Sequence, residues 1–246
     1  MNLYKKAAIS GVYEHPTRWA PDKSAFQIHA ESARGALEDA GLSIGDVDGY
    51  FTSGVSGMAP ILMAEHLNIN PKYLDSTSIG GASFDAHVHH ACAAVASGLC
   101  EVALITYGSA ASSRGMSIGT GLRLGSEPPE QFEAPYGPTT VGAYAMVAQR
   151  HMHQYGTTSE QLAEIAVTMR SHASLNSLAK YRDPITVDDV LESRLISSPL
   201  HLLDCCIISD GGGAVVVTSP EKAGNLKKPP VWVLGAGESC FHTGSG

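Results

Sequence analysis

Apolar positions along the chain follow two alternating rhythms. Residues 6–10 form a short apolar strand candidate. Phe26, Ala30, Ala33, Leu37 and Ala40 then recur at three- and four-residue spacing, which predicts a helix over about 24–40 with Gly41 as its C-terminal cap. The alternation repeats: strand character at 47–51, helix at 60–67, strand at 73–77, an alanine-rich helix at 82–97 closed by Gly98, and a fourth strand at 102–107. Strand and helix exchanging in this way predict parallel strands with helices on both faces, because each crossover must return the chain to the same edge of the sheet. The first hundred residues therefore read as α/β.

From 108 to 137 the rhythm dissolves into Gly, Ser, Pro and Glu, over a length beyond the roughly 12–15 residues usual for a structureless connection, so this stretch is expected to cover something. Helical periodicity resumes over 140–155, breaks at Gly156, and restarts behind Thr158, which has capping-box spacing to Gln161. Thr186 opens a short helix. Two further runs, 213–218 and 231–235, have the pattern of buried strands.

Composition narrows the class. At 246 residues, 43% hydrophobic and 16% charged, the chain has enough apolar material for one large or two ordinary domains and is not disordered. A formal charge of −8 repels phosphate backbones and argues against nucleic acid as a partner. No apolar run reaches the roughly 20 residues a membrane span needs, so a cytoplasmic protein is expected. The five cysteines are odd in number and lack CxxC spacing, which fits reduced core thiols and disfavours structural zinc.

The chemistry-bearing candidates are few. Ser78-Ile79-Gly80-Gly81-Ala82-Ser83 joins a strand to a helix, where backbone N–H groups carry partial positive charge and suit an oxyanion or thioester carbonyl. The same glycines equally suit a tight turn with no ligand, and both readings stand. Neither GxGxxG, nor a Walker pattern, nor GxSxG occurs, which disfavours a dinucleotide enzyme, a nucleotide-phosphate site and a hydrolase elbow. His87, His89 and His90 crowd one helix, with His87 and His90 on one face, but no paired acid or cysteine completes a ligand set, so no metal is assigned and packing is the favoured role. His151 and His153 point to different sides of their helix. Cys205-Cys206 would need a neighbouring base to be reactive, and Asp210 before Gly211-Gly212-Gly213 reads chiefly as a turn organiser.

Several stretches taken together resemble the thiolase superfamily, in the branch of sterol carrier protein X thiolases and their lipid-transfer-protein-like relatives. They are Arg150-His151-Met152-His153-Gln154-Tyr155-Gly156-Thr157-Thr158-Ser159-Glu160-Gln161-Leu162, Ala173-Ser174-Leu175-Asn176, Arg182-Asp183-Pro184-Ile185-Thr186-Val187, and Pro199-Leu200-His201-Leu202-Leu203-Asp204-Cys205-Cys206 with Ser209-Asp210-Gly211. The resemblance implies the N-terminal half of a thiolase-like fold, a mostly parallel five-stranded sheet flanked by helices. Residues 1–107 and 205–223 would form the α/β domain and 108–204 a loop domain over the active site. Residues 224–246 would be a linker and the first strand of a second domain whose remainder, with most catalytic residues, is expected beyond the chain.

In this family the nucleophile is a cysteine at the N-terminus of the third helix, and counting back from Gly98 places Gly81 there. Without a side chain, Gly81 cannot carry an acyl group. Cys92 lies roughly 16 Å further along the helix axis. The resemblance includes steroid side-chain aldolases, which lack that cysteine, so retro-aldol cleavage of a β-hydroxyacyl-CoA is the expected reaction. A non-catalytic subunit that binds CoA esters or lipids, and a conventional acyltransferase with a relocated cysteine, remain as alternatives. Candidate substrate contacts are Gly80, Gly81, Ala82, Ser83, Tyr136, Tyr144 and Ser209. The resemblance implies a coenzyme A thioester as substrate with no covalently bound cofactor, a homodimer through the sheet edge at 73–77, and a small zinc-ribbon and OB-fold partner.

Overall fold

A computed structural model describes residues 2–54, 58–116, 131–132, 134–136 and 139–240. Strand β1 (Ala8–Glu14) leads to helix α1 (Ala25–Ala40), β2 (Gly49–Phe51), α2 (Ala59–His66), β3 (Tyr73–Asp75), α3 (Ser83–Ala96) and β4 (Val102–Ser109). Helices α4 (Thr140–Tyr155), α5 (Ser159–Leu175) and α6 (Val187–Glu192) follow, then the short strands β5 (Leu195–Ser197) and β6 (Leu200–His201). Strand β7 (Gly211–Thr218), α7 (Pro220–Gly224) and β8 (Val231–Trp232) complete the order. The described residues of 1–113 and 210–241 make one compact unit, and those of 114–209 a second. Among the described residues no helix is long and apolar enough to cross a membrane.

The first unit is built on one sheet in the order β3-β2-β4-β7-β1-β8. Strand β2 pairs in parallel with β3 and β4, whereas β7 runs antiparallel to both β4 and β1. The five expected strands are present with β7 opposed to the other four, so the sheet is mixed, and β8 extends it to six strands by pairing antiparallel with β1 at Ala8 and Ile9.

Period-two alternation explains how one sheet serves two cores. On β4, Val102 and Leu104 face the cluster formed with Ala33, Ala36 and Leu37 of α1 and Met63 of α2. Ala103 and Ile105 face the other way, toward Ala91, Cys92 and Val95 of α3. Strand β7 divides likewise, Val216 to the first face and Val217 to the second. Helix α1 starts at Ser24, whose side chain accepts from the Gln27 N–H while the Gln27 side chain accepts from the Ser24 N–H, and it ends at Gly41 in the left-handed conformation. Gly11 lets α1 sit close on β1: a Cβ there would lie 2.3 Å from the Ala36 carbonyl oxygen.

Asp210 is buried and fastens three segments. Its carboxylate accepts the Ala20 N–H at 2.8 Å and the Ser113 N–H at 3.1 Å, while its own N–H donates to the Arg18 carbonyl at 3.2 Å. Burial alone would raise this carboxyl, but the N–H donors outweigh it and hold the group below the usual range.

In the second unit, Thr158 and Gln161 form the expected capping box at the head of α5, and Thr186 pairs with Asp189 in the same way at α6. Strands β5 and β6 form a two-stranded hairpin. His151 spends Nδ1 on the Thr157 hydroxyl at 2.8 Å, and His153 is exposed.

Candidate functional site

A cavity of about 900 Å³ lies within the first unit, on the α3 side of the sheet toward the C-terminal end of β4. Register fixes its floor. Val12, Val215 and Ile105 stand in one row across β1, β7 and β4, and Glu14, Gly213 and Tyr107 in a second row two residues on. Its wall is the turn into α3, contributed by Gly80, Gly81, Ser83 and Phe84. Phe84 meets Tyr107 edge to face with ring centroids 4.9 Å apart, closing wall onto floor. Crevices beyond the carboxyl ends of parallel strands are the usual ligand position in open α/β sheets.

The turn is built by Ser83. Its hydroxyl accepts the Ile79 N–H at 2.9 Å and donates to the Gly80 carbonyl at 2.6 Å, so it shapes the loop. Gly80 has φ +77, in the left-handed region, and so needs glycine. Gly81 has an ordinary φ, and a Cβ added there would meet nothing within 4 Å. Hence Gly81 faces open space at the head of α3, where a side chain would fit. Ala82 occupies the N-cap and contributes no side-chain cap, which leaves the dipole end of α3 to whatever enters.

The histidines of α3 divide. His87 is buried and accepts the Thr77 N–H at Nε2 over 3.0 Å, which fixes the proton on Nδ1 and ties the preceding loop to the helix. Burial holds its imidazole below the usual value. His90 instead stands between two carboxylates, Asp75 at 2.7 Å and Glu238 at 3.1 Å. Neither acid is apparent from the pattern around the histidines, because both lie far away along the chain.

Of the candidate contacts, Gly80, Gly81 and Ser83 line the cavity and Ala82 joins them at the helix start. Tyr136 and Tyr144 are exposed side chains of the second unit, and Ser209 is half-buried at its end. Glu14, Tyr107 and Phe84 line the cavity without being among the sequence candidates. Only strand register reveals the first two, whereas Phe84 lies three residues past Gly81 and so close to a local signal.

Three of the five thiols are held away from the reactive thiolate. Burial pushes Cys92 up to about 11, and burial with the Asp48 carboxylate pushes Cys100 up to about 12. Cys205 is raised as well, by burial and then by the Asp204 carboxylate, and its thiol donates to the His201 carbonyl.

No protein-family model matches the chain. Among curated proteins it is 36% identical over 246 residues to a steroid side-chain-cleaving aldolase of Thermomonospora curvata, covering 96% of this chain and 62% of that protein. It is also 36% identical over 247 residues to 17-hydroxy-3-oxo-4-pregnene-20-carboxyl-CoA lyase of Mycobacterium tuberculosis, covering 97% of this chain and 64% of the relative. Among solved structures it superimposes on an Ltp2-ChsH2(DUF35) aldolase with a TM-score of 0.85 and 35% identity, over 98% of this chain and 63% of the other. The chain thus spans somewhat under two thirds of the length of these relatives. By these similarities the chain belongs to the thiolase superfamily, in the branch that includes sterol carrier protein X thiolases and steroid side-chain aldolases.

Proposed function

We propose that this chain supplies the acyl-CoA pocket of a lyase that cleaves a β-hydroxyacyl-CoA, with a steroid side chain or similar lipid as the acyl group, by retro-aldol chemistry. The observation that carries the proposal is Gly81: the helix head that presents the nucleophile in thiolases holds no reactive atom here, although a side chain would fit. In retro-aldol cleavage a base removes the β-hydroxyl proton, the α–β carbon bond breaks as the carbonyl product forms, and its electrons pass to the acyl-CoA as an enolate that is then protonated. No enzyme nucleophile is required. The enolate oxygen would lie at the uncapped N-terminus of α3, where preorganised N–H groups stabilise developing negative charge.

The aldolase and lyase names of the 36% identical relatives support this reading. Within the lining, Glu14 and Tyr107 are candidate proton-exchanging side chains, and Glu14 is ion-paired with Arg18. Tyr136, Tyr144 and Ser209 are proposed as further substrate-binding residues. The similar solved aldolase is named for Ltp2 together with ChsH2(DUF35), and on that ground a DUF35-type protein is the proposed partner. A second copy is proposed to join at the outer edge of β3.

The test is to incubate the chain, alone and with that partner, with a β-hydroxyacyl-CoA. Equal amounts of aldehyde or ketone and shortened acyl-CoA, with no uptake of free CoA, are expected. Consumption of free CoA with an acylated cysteine would overturn the lyase in favour of thiolysis. Binding without turnover would favour a non-catalytic subunit.

A further inference from the structure

The strongest cluster outside the pocket lies on the far half of α3. His89 and His90 meet Glu238, from the segment after β8, and one ring nitrogen from each and one carboxylate oxygen lie within 4.8 Å of one another. Glu238 Oε1 is 3.5 Å from His89 Nδ1 and 3.1 Å from His90 Nε2. Two ligands on a Zn²⁺-sized ion, bonded at about 2.0–2.2 Å with angles between about 90° and 115°, would stand about 3.0–3.5 Å apart. The two nitrogen–carboxylate distances therefore match those of ligands sharing one ion.

Lone-pair bookkeeping points the same way. His90 Nδ1 lies 2.7 Å from Asp75 Oδ2 and 3.3 Å from the Thr77 hydroxyl. With a proton on Nδ1 donated to Asp75, Nε2 of the neutral ring turns a lone pair toward a carboxylate oxygen. His89 Nδ1 faces the same oxygen, is buried, and makes no hydrogen bond among the described residues. Two ring nitrogens and a carboxylate oxygen thus converge on one volume, where a metal ion would replace a proton on His90 as the cation facing Glu238. Asp75 sits where a carboxylate behind a metal-bound histidine orients the ring and raises its basicity.

We propose that His89, His90 and Glu238 form a binding site for a divalent transition-metal ion of the Zn²⁺ type, with Asp75 as the orienting residue behind His90. Two imidazoles and one carboxylate suit Zn²⁺, Ni²⁺ or Co²⁺ better than Mg²⁺ or Ca²⁺, which favour all-oxygen shells. The ion would bind the segment after β8 to α3, and through Asp75 to β3, independently of the reaction at the other end of the helix.

The chain, cleared of metal with a chelator, is titrated with Zn²⁺ by calorimetry and with Co²⁺ by visible absorption. One equivalent of tight binding is expected, with a Co²⁺ ligand-field spectrum and a Tm that rises with Zn²⁺. Glu238→Gln and His90→Gln should each weaken Zn²⁺ binding at least tenfold and abolish the Tm rise, and Asp75→Asn should weaken it by about 10- to 100-fold. Glu238 is exposed, so its variant keeps the fold, which far-ultraviolet circular dichroism verifies. No binding at millimolar Zn²⁺ would overturn the proposal, leaving a proton as the only cation there. Binding of undiminished affinity in both Glu238→Gln and His90→Gln would also overturn it by placing the ion elsewhere.

Discussion

Gly80 and Gly81 are adjacent and should respond oppositely to substitution. Gly80→Ala places a Cβ on a left-handed backbone, and a cost of about 1–2 kcal/mol is expected in urea denaturation. Gly81→Cys meets open space and should leave stability unchanged. Its thiol, at a helix N-terminus, should be alkylated by iodoacetamide well before Cys92 or Cys100, as peptide mass spectrometry would record. His29 yields a pH prediction. Burial, and secondarily the charge of His66, push it down to about 4, while Nδ1 stays bonded to the Thr106 hydroxyl. The unfolded chain takes up this proton near pH 6.5 and the folded chain only near 4, so the stability that His29 contributes is full above 6.5 and lost as pH falls between those values, about 3 kcal/mol in all. His29→Gln should flatten that part of the stability profile relative to the parent. Composition around residue 29 gives no hint of this, because desolvation arises only when α1 covers β4.

Elements are easier to read than residues, for a local reason. The capping spacing at Thr158, the start signal at Thr186 and the terminating Gly41 are contained within a few positions, and each cap forms where it is expected. The apolar pattern predicts β1 at 6–10, whereas the strand runs over Ala8–Glu14. A register shift between Ile9 and Gly11 breaks the alternation, and Val12, half exposed on the cavity floor, does not read as core. The β5–β6 hairpin has no sequence signal because its strands are three and two residues long and mostly unburied. Gly11→Ala should separate α1 from β1 and destabilise the chain by about 1–3 kcal/mol, measured by urea denaturation, since backbone and not a flexible side chain blocks the space.

For the molecule as a whole, the sheet architecture is legible and the site only half so. Strand–helix alternation announces α/β layers, and the paired glycines mark the turn into α3. The cavity floor, however, comes from β1, β4 and β7, whose neighbours are set by long-range pairing that no local pattern encodes. The same holds for Glu238, 148 positions from His90. Unit composition carries a further expectation. The three core clusters draw all their buried members from the first unit. Its folding should therefore not depend on residues 114–209.

Asp210 makes that expectation practical. Because one carboxylate holds Ser113, where the chain leaves the first unit, and itself marks the point of return, the interval between is a detour with its two ends pinned together. Replacing 114–209 by a short Gly-Ser bridge should give a shortened polypeptide with a cooperative melt, whereas the same excision combined with Asp210→Ala should not. In evolutionary terms such a seam is a grafting point, at which a lineage can exchange the whole excursion and leave the underlying scaffold untouched.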